Sequence, residues 1–278
     1  MDLNNMMVKE QIVKTVVKSG NGGAVWVPKD WLGEEVIVVL PQKPELNLKE
    51  RIIKVLEPHL KDVISVSIYG SYARNEQTKG SDVDVLVITK DKVFQLETKE
   101  FDLISIPIEK LKNAIKKYPA MYYQIVHEAK PLINSSVLDE LKKIKIGKEN
   151  FSDYLKDTRA YIKTNVEFLK LDKLDNGYIE SHSILYSTML RLRGIFILKC
   201  ILKKNAFSNR KFKKWIMGEG VDNNEFEESY KAYRFIRDKK NTKSLKIRID
   251  TAEKLINILR NQTESLEIDI HGKQKEKA

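Results

Sequence analysis

The chain is 278 residues long, 42% hydrophobic and carries a net charge of +11, which favours two or three domains with real cores over one. Its longest apolar runs, such as Val36 to Leu40 and Gly194 to Leu198, are far too short for a bilayer, and Asp2 argues against a secretory signal; a soluble, cytoplasmic protein with no membrane partner is expected. The single cysteine, Cys200, excludes an internal disulfide and a thiolate zinc site, and four scattered histidines form no helix-spaced ligand pair, so any metal must be held mainly by carboxylates.

Residues 8–40 read as a small β unit. Val8 to Val17 is rich in β-branched residues, Gly20-Asn21-Gly22-Gly23 is a turn, and Ala24 to Val27 and Val36 to Leu40 follow as strands. Pro28 opens a short helical turn through Asp30-Trp31-Leu32 that Gly33 closes. So few apolar positions bury little alone, and a second copy or the rest of the chain is needed to complete the core. The run from Val17 to Gly33 resembles the swapped-hairpin family of AbrB-like domains, especially archaeal transposon-associated versions. That resemblance implies an intertwined homodimer and, as in many members, DNA as a partner. Against DNA, residues 1–45 hold five lysines and six acids, which is no basic footprint.

After a linker from Pro41 to Pro44, Leu48, Ile52, Val55 and Leu56 recur at helical spacing and predict a helix running to about Leu60. Val63 to Tyr69, Val83 to Ile88 and Phe101 to Ile106 predict strands, residues 108–118 a helix, and Glu128 to Leu132 a closing hairpin. Helices are expected at about 135–146, 150–171, 177–204, 208–217, 223–240 and 250–264, ahead of a polar tail.

The chemistry is concentrated in Gly70-Ser71-Tyr72-Ala73-Arg74-Asn75-Glu76, then four residues, then Ser81-Asp82-Val83-Asp84. Strand alternation places Asp82 and Asp84 on one face while Val83 and Val85 turn to the core. Two carboxylates about 4 Å apart at an effective dielectric near 20 repel by roughly 4 kcal/mol, which calls for a cation or a shared proton. Oxygen-only ligands point to Mg²⁺ or Mn²⁺. Asp102, on the Phe101 strand, could join the cluster from a neighbouring strand, and three carboxylates can hold two ions for phosphoryl transfer. Gly70 lets the backbone approach a phosphate, Ser71 offers a hydroxyl and an N–H, and Arg74 can reach anionic oxygens.

This pattern resembles the minimal nucleotidyltransferases of the DNA polymerase β superfamily over residues 47–133. The resemblance implies transfer of a nucleoside monophosphate from an NTP, ATP by default, with release of pyrophosphate. It assigns Gly70, Ser71, Arg74 and Ser81 to the nucleotide, Asp82 and Asp84 to the metals, and Asp102 to a third, acceptor-activating carboxylate. Asn75 stands where the family usually has glycine, a substitution that asparagine's tolerance of left-handed backbone allows. The interval from Asp84 to Asp102 is also short, which weakens the third assignment.

Residues 141–278 hold 31 Lys/Arg against 19 Asp/Glu, so the basic excess belongs to the C-terminal half. Between Glu180 and Glu219 there is no acid, while Arg191, Arg193, Lys199, Lys203, Lys204, Arg210, Lys211, Lys213 and Lys214 occur. Such a stretch is either a polyanion site or a solvated lysine-rich face. Through Tyr186-Ser187-Thr188-Met189-Leu190 and the helix leading to Lys203-Lys204-Asn205, this half loosely resembles the HEPN and substrate-binding domains that accompany such transferases. No Arg and His stand at the spacing an RNase-type HEPN would need.

The expected fold class is therefore α+β: a small N-terminal AbrB-like β module over 1–42, a polymerase-β-like α/β domain over 46–134, a helical acceptor-binding bundle over 135–268 and a polar tail over 269–278. The expected function is metal-dependent nucleotidyl transfer to RNA such as tRNA, to a protein or to a small molecule. The rival reading is a DNA-binding regulator or antitoxin whose transferase domain senses nucleotide or caps a toxin partner.

Overall fold

The computed structural model describes residues 9, 10, 12, 14–38, 47–78, 81–96, 98, 100–173, 177–180, 182–242 and 245–272. It divides into two compact units, Met1–Leu46 and Asn47–Ala278.

In the first unit, β1 (Val17–Ser19) and β2 (Gly22–Ala24) form an antiparallel hairpin with Val17 opposite Ala24, turned by Gly20 at φ +57°. A 3₁₀ turn over Lys29–Trp31 follows Pro28, and Gly33 leaves it at φ +90°. The Trp31 indole N–H donates to Glu10 at 3.3 Å. The hairpin is shorter than expected. The described residues ahead of Val17 and those from Val36 to Val38 are not strand, while Val8, Val39 and Leu40 lie outside the described residues. A strand needs an edge to pair with, and among the described residues of this unit only β1 and β2 pair. Its apolar side chains stay in water: Trp26 is 73% and Leu32 76% exposed, and Val36, Ile37 and Val38 are exposed as well.

The second unit begins with α1 (Leu48–Leu56), closed at its start by a capping box between Asn47 and Glu50. The expected helix to Leu60 stops being α-helical at Leu56 and continues as a 3₁₀ turn over Glu57–Asp62. Pro58 has no N–H to donate to Lys54. Then come β3 (Val63–Tyr69), the one-turn helix α2 (Gly70–Ala73), β4 (Val83–Thr89), β5 (Phe101–Pro107) and α3 (Ile108–Lys117). In place of the expected hairpin near Glu128 lie α4 (Tyr122–Glu128) and β6 (Lys130–Ile133). Ile125 and Val126 bury into the core beside Leu111 and Ile115, so packing claims that segment for a helix, and β6 pairs with β3 instead.

The sheet order is β5-β4-β3-β6, with β4 and β5 parallel and the other pairs antiparallel. Alternation along β4 splits the core in two. Val83, Val85 and Val87 pack with Ile52 and Leu56 of α1. Leu86 and Ile88 pack on the opposite face with α3, α4 and α5 (Ser135–Lys142). Asp84 shares the parity of Leu86 and Ile88 and stands at the end of β4 where the sheet stops being covered. The run from Lys90 to Glu100 joins the parallel strands with no helix among its described residues, and it is tied to β5 where the Ser105 hydroxyl accepts from the Phe94 N–H at 2.8 Å and donates to the Phe94 carbonyl at 2.6 Å.

The remaining helices are α6 (Ser152–Asp172), α7 (Ser183–Leu202), α8 (Asn209–Gly218), α9 (Asn223–Arg237) and α10 (Ile249–His271). α7 is their centre, with Leu185, Met189, Leu192, Ile195 and Leu198 all buried. It starts later than expected because the chain before it is extended: Tyr178 bridges Arg248, and Ile179 N–H donates to Ile247 at 2.9 Å. α9 stops earlier than expected and α10 runs longer. Among the described residues no helix is long and apolar enough to cross a membrane. The architecture is α+β.

Candidate active site

The chain leaves β3 through Gly70 at φ +69°, a conformation that L side chains avoid. A Cβ at that position would overlap the carboxylate of Asp84, so glycine is required twice over. The Gly70 N–H donates to Glu128 Oε1 at 2.8 Å. Asn75 stands at φ +55°, and its side-chain oxygen accepts from Lys130 Nζ at 3.2 Å.

β4 and β5 run in register with Val83 opposite Phe101, which sets Asp84 directly opposite Asp102. Asp84 is half-buried and Asp102 exposed. Burial first, then the neighbouring charges of Asp102 and Glu128, push the Asp84 carboxyl up to about 6, although Arg74 and Arg237 pull the other way. Tyr69, buried at the end of β3 opposite Asp84, has its phenol pushed well above the usual range by burial and then by Asp84 and Asp102. Asp82 precedes β4 and is exposed. Ser81 turns its hydroxyl back to Thr78, accepting from the Thr78 N–H at 2.9 Å. Ser71 lies in the first turn of α2 and is half-buried.

Arg74 is engaged by the protein itself. Its Nη1 donates to Glu128 Oε2 at 2.7 Å and its Nε to Glu76 Oε2 at 2.9 Å. Burial opposes its charge, but the two carboxylates raise its pKa on balance. Glu76 also accepts from the backbone N–H groups of Asn209 at 3.2 Å and Arg210 at 3.5 Å, and so closes the start of α8. Burial opposes ionisation of Glu76, yet Arg74 and the Asn209 N–H hold its carboxyl below the usual range. The guanidinium of Arg74 lies over the Phe207 ring at 5.4 Å. One side chain thereby ties the Gly70 turn to α4 and to the helices.

Sequence reasoning missed Glu128 and gave Glu76 no role. Glu128 sits in a segment without a local motif and reaches Gly70 and Arg74 only because α4 folds back on the sheet. A carboxylate two residues beyond Arg74 was a usable signal for Glu76.

Asp84 and Asp102 fit a divalent cation: two facing carboxylates, one pushed toward the neutral form, form a site that a hard cation would relieve. Among the described residues no three carboxylate, imidazole or thiol groups form a ready-made cage. Mg²⁺ commonly binds through one or two carboxylates and completes its shell with water and substrate phosphate.

A mixed sheet ending in a Gly-Ser turn beside facing carboxylates is the frame of a nucleotidyl-transferring enzyme. A family model described as a nucleotidyltransferase domain matches residues 49–144. Three Methanocaldococcus jannaschii proteins, each bearing the name Putative protein adenylyltransferase, are similar to part of this chain. MJ0128 is 48% identical over 69 residues, covering 23% of this chain and 69% of its own length. MJ0126 is 40% identical over 76 residues, 23% of this chain and 78% of its own length. MJ0435 is 34% identical over 94 residues, 34% of this chain and 90% of its own length. Among solved structures, a nucleotidyltransferase-like protein from Exiguobacterium sibiricum is similar with a TM-score of 0.35 and 13% identity, over 80% of this chain and 76% of that one. The chain belongs to the nucleotidyltransferase family.

Proposed function

We propose that the chain transfers a nucleoside monophosphate, AMP by default, from an NTP to a hydroxyl acceptor and releases pyrophosphate. The observation that carries this reading is the register of β4 and β5, which faces Asp84 to Asp102 beside the Gly70 turn. Asp82, Asp84 and Asp102 would hold Mg²⁺ or Mn²⁺, which supplies charge neutralisation for the triphosphate and for the attacking and leaving oxygens. Gly70 and Ser71 approach the triphosphate. Arg74 contributes chiefly by holding Glu76 and Glu128 in place, and reaches a phosphate only if one of those carboxylates lets go. Asp102, exposed at the strand end, is placed to take the acceptor proton. The names of the relatives favour a protein hydroxyl over RNA or a small molecule as the acceptor.

The domain limits that go with this reading are an AbrB-like module over 1–42, the transferase over 46–134, a HEPN-like acceptor-binding bundle over 135–268 and a tail over 269–278. Homodimerisation through the first module is supported by its exposed Trp26, Leu32, Val36, Ile37 and Val38, more apolar surface than one hairpin can cover. A second reading has this unit dock on DNA or on a toxin partner while the transferase only senses nucleotide; of the two partners, the exposed apolar side chains suit a protein. Incubating the protein with α-labelled ATP, Mg²⁺ and cell extract separates the two readings. A labelled protein band that needs Mg²⁺ supports transfer. Metal-dependent ATP binding with no labelled acceptor of any class supports the sensor.

A further inference from the structure

A cavity of about 480 Å³ opens between α7, α8 and α10, and none of its lining residues belongs to the sheet or to the Gly70 turn. Lys199 and Lys203 reach it from the end of α7, Lys211 and Trp215 from α8, Asn205 from the intervening loop, and Glu219 from the end of α8. Three ammonium groups thus face one carboxylate. Among the described residues none of the three lysines has an ion-pair partner. Lys199 donates to Gln262 and, at 3.4 Å, to Ser265 Oγ, both neutral, and Lys211 donates to the Ala206 carbonyl at 3.3 Å. Burial lowers the pKa of Lys199, although the charges of Asp269 and Glu219 pull the other way, and its ammonium lies over the Trp215 ring at 5.9 Å.

The helix dipole accounts for cations at the C-terminal end of α7 but not for Lys211. That residue sits in the first turn of α8, the wrong end for a positive charge, in a turn that contains no acid. Lys213, two positions further along α8, pairs with Glu227. Trp215 stacks on Phe196 at 5.1 Å between centroids, so its ring is fixed by the core and still lines the cavity. Convergent cations beside a fixed aromatic plane, in a hollow within the usual size range of ligand sites, suit a ring that carries phosphate.

We propose that this cavity is a second binding site, separate from the facing carboxylates, for a small phosphorylated ligand of mononucleotide size. Lys199, Lys203 and Lys211 take its phosphate, and Trp215 lies beside its ring. The site needs no divalent cation, because the lysines themselves supply the positive charge.

The test uses full-length protein carrying Trp26→Phe and Trp31→Phe, which leaves Trp215 the single tryptophan. AMP titrated in EDTA should change Trp215 fluorescence saturably, inorganic phosphate should compete, and adenosine should have no effect. Lys211→Glu and Lys199→Gln, with circular dichroism confirming the fold, should each weaken AMP at least tenfold, while Asp84→Asn should leave it unchanged. No saturable response, a response lost in Asp84→Asn but kept in Lys211→Glu, or binding of a 5′-phosphorylated oligoribonucleotide without AMP would each overturn the proposal.

Discussion

Asp84 on β4 and Asp102 on β5 stand opposite each other across a parallel strand pair. Eighteen positions apart in the chain, they become neighbours because the short link between Thr89 and Phe101 returns β5 alongside β4 in the same direction. Their mutual repulsion and the burial of Asp84 store an electrostatic cost in the free protein that a bound cation would lift.

That cost has a pH signature. The folded-state pKa of Asp84, about 6, lies above the ordinary aspartate value of 3.8, so between these values the native state binds more protons than the unfolded chain. Stability from this group therefore falls as pH rises through that window. In EDTA, Asp84→Asn should raise the melting temperature at pH 7.5 and leave it nearly unchanged at pH 4. Thermal melts of both proteins at the two pH values check this. Adding Mg²⁺ should stabilise the wild type at pH 7.5 more than the variant.

Nucleotidyl transfer should fall by about 10²-fold or more in Asp82→Asn, Asp84→Asn and Asp102→Asn, with circular dichroism unchanged. Single-turnover labelling with α-labelled ATP measures it. Asp102→Asn should retain more Mg²⁺-dependent ATP binding than Asp84→Asn if its part is chiefly to take the acceptor proton. Wild-type transfer by the Asp84 variant would refute the site.

Gly70→Ala combines a strained backbone with overlap on the Asp84 carboxylate. Urea unfolding should show a loss of more than about 1 kcal/mol, the cost of the left-handed conformation alone. Labelling should be lost together with stability, because the side chain that must move is Asp84 itself.

Glu76→Gln removes the charge that Arg74 and the first N–H groups of α8 share. The expected loss is about 1–2 kcal/mol at neutral pH, typical of a helix-cap carboxylate with a charged partner. Because the folded pKa of Glu76 is lowered, its contribution is present at neutral pH and fades as pH falls through that lowered value. Wild type and variant should therefore converge in acid, as for Asp84, but here the variant is the less stable of the two at neutral pH.

Deleting residues 1–42 should convert a dimer into a monomer that still binds ATP with Mg²⁺, since the second unit has its own cores. Light scattering of both proteins at micromolar concentration checks it. A monomeric full-length protein would leave the exposed face of the first unit for another partner.

By itself the sequence determined the α+β class, the three strands around the Gly70 turn, the side of β4 on which Asp84 stands, opposite to Val83 and Val85, and the left-handed use of Asn75; Asp82, expected on the same strand, precedes it. Each of these is local: a side-chain period, a turn residue or a backbone preference acts over a few positions and can be read in order along the chain. Tertiary structure decided the rest. It set Asp102 opposite Asp84, folded α4 so that Glu128 meets Gly70 and Arg74, and kept the described N-terminal hairpin to three residues in each strand. It also sorted the basic stretch that composition could only count. Arg193 is held by Asn209 and lies over Phe207, Lys213 is paired with Glu227, and Lys199, Lys203 and Lys211 are brought to one cavity. Strand order and helix packing bring together residues more than a hundred positions apart, as Glu76 and Asn209 are, and no local spacing encodes which of several like charges will find a partner and which will be left to face a hollow.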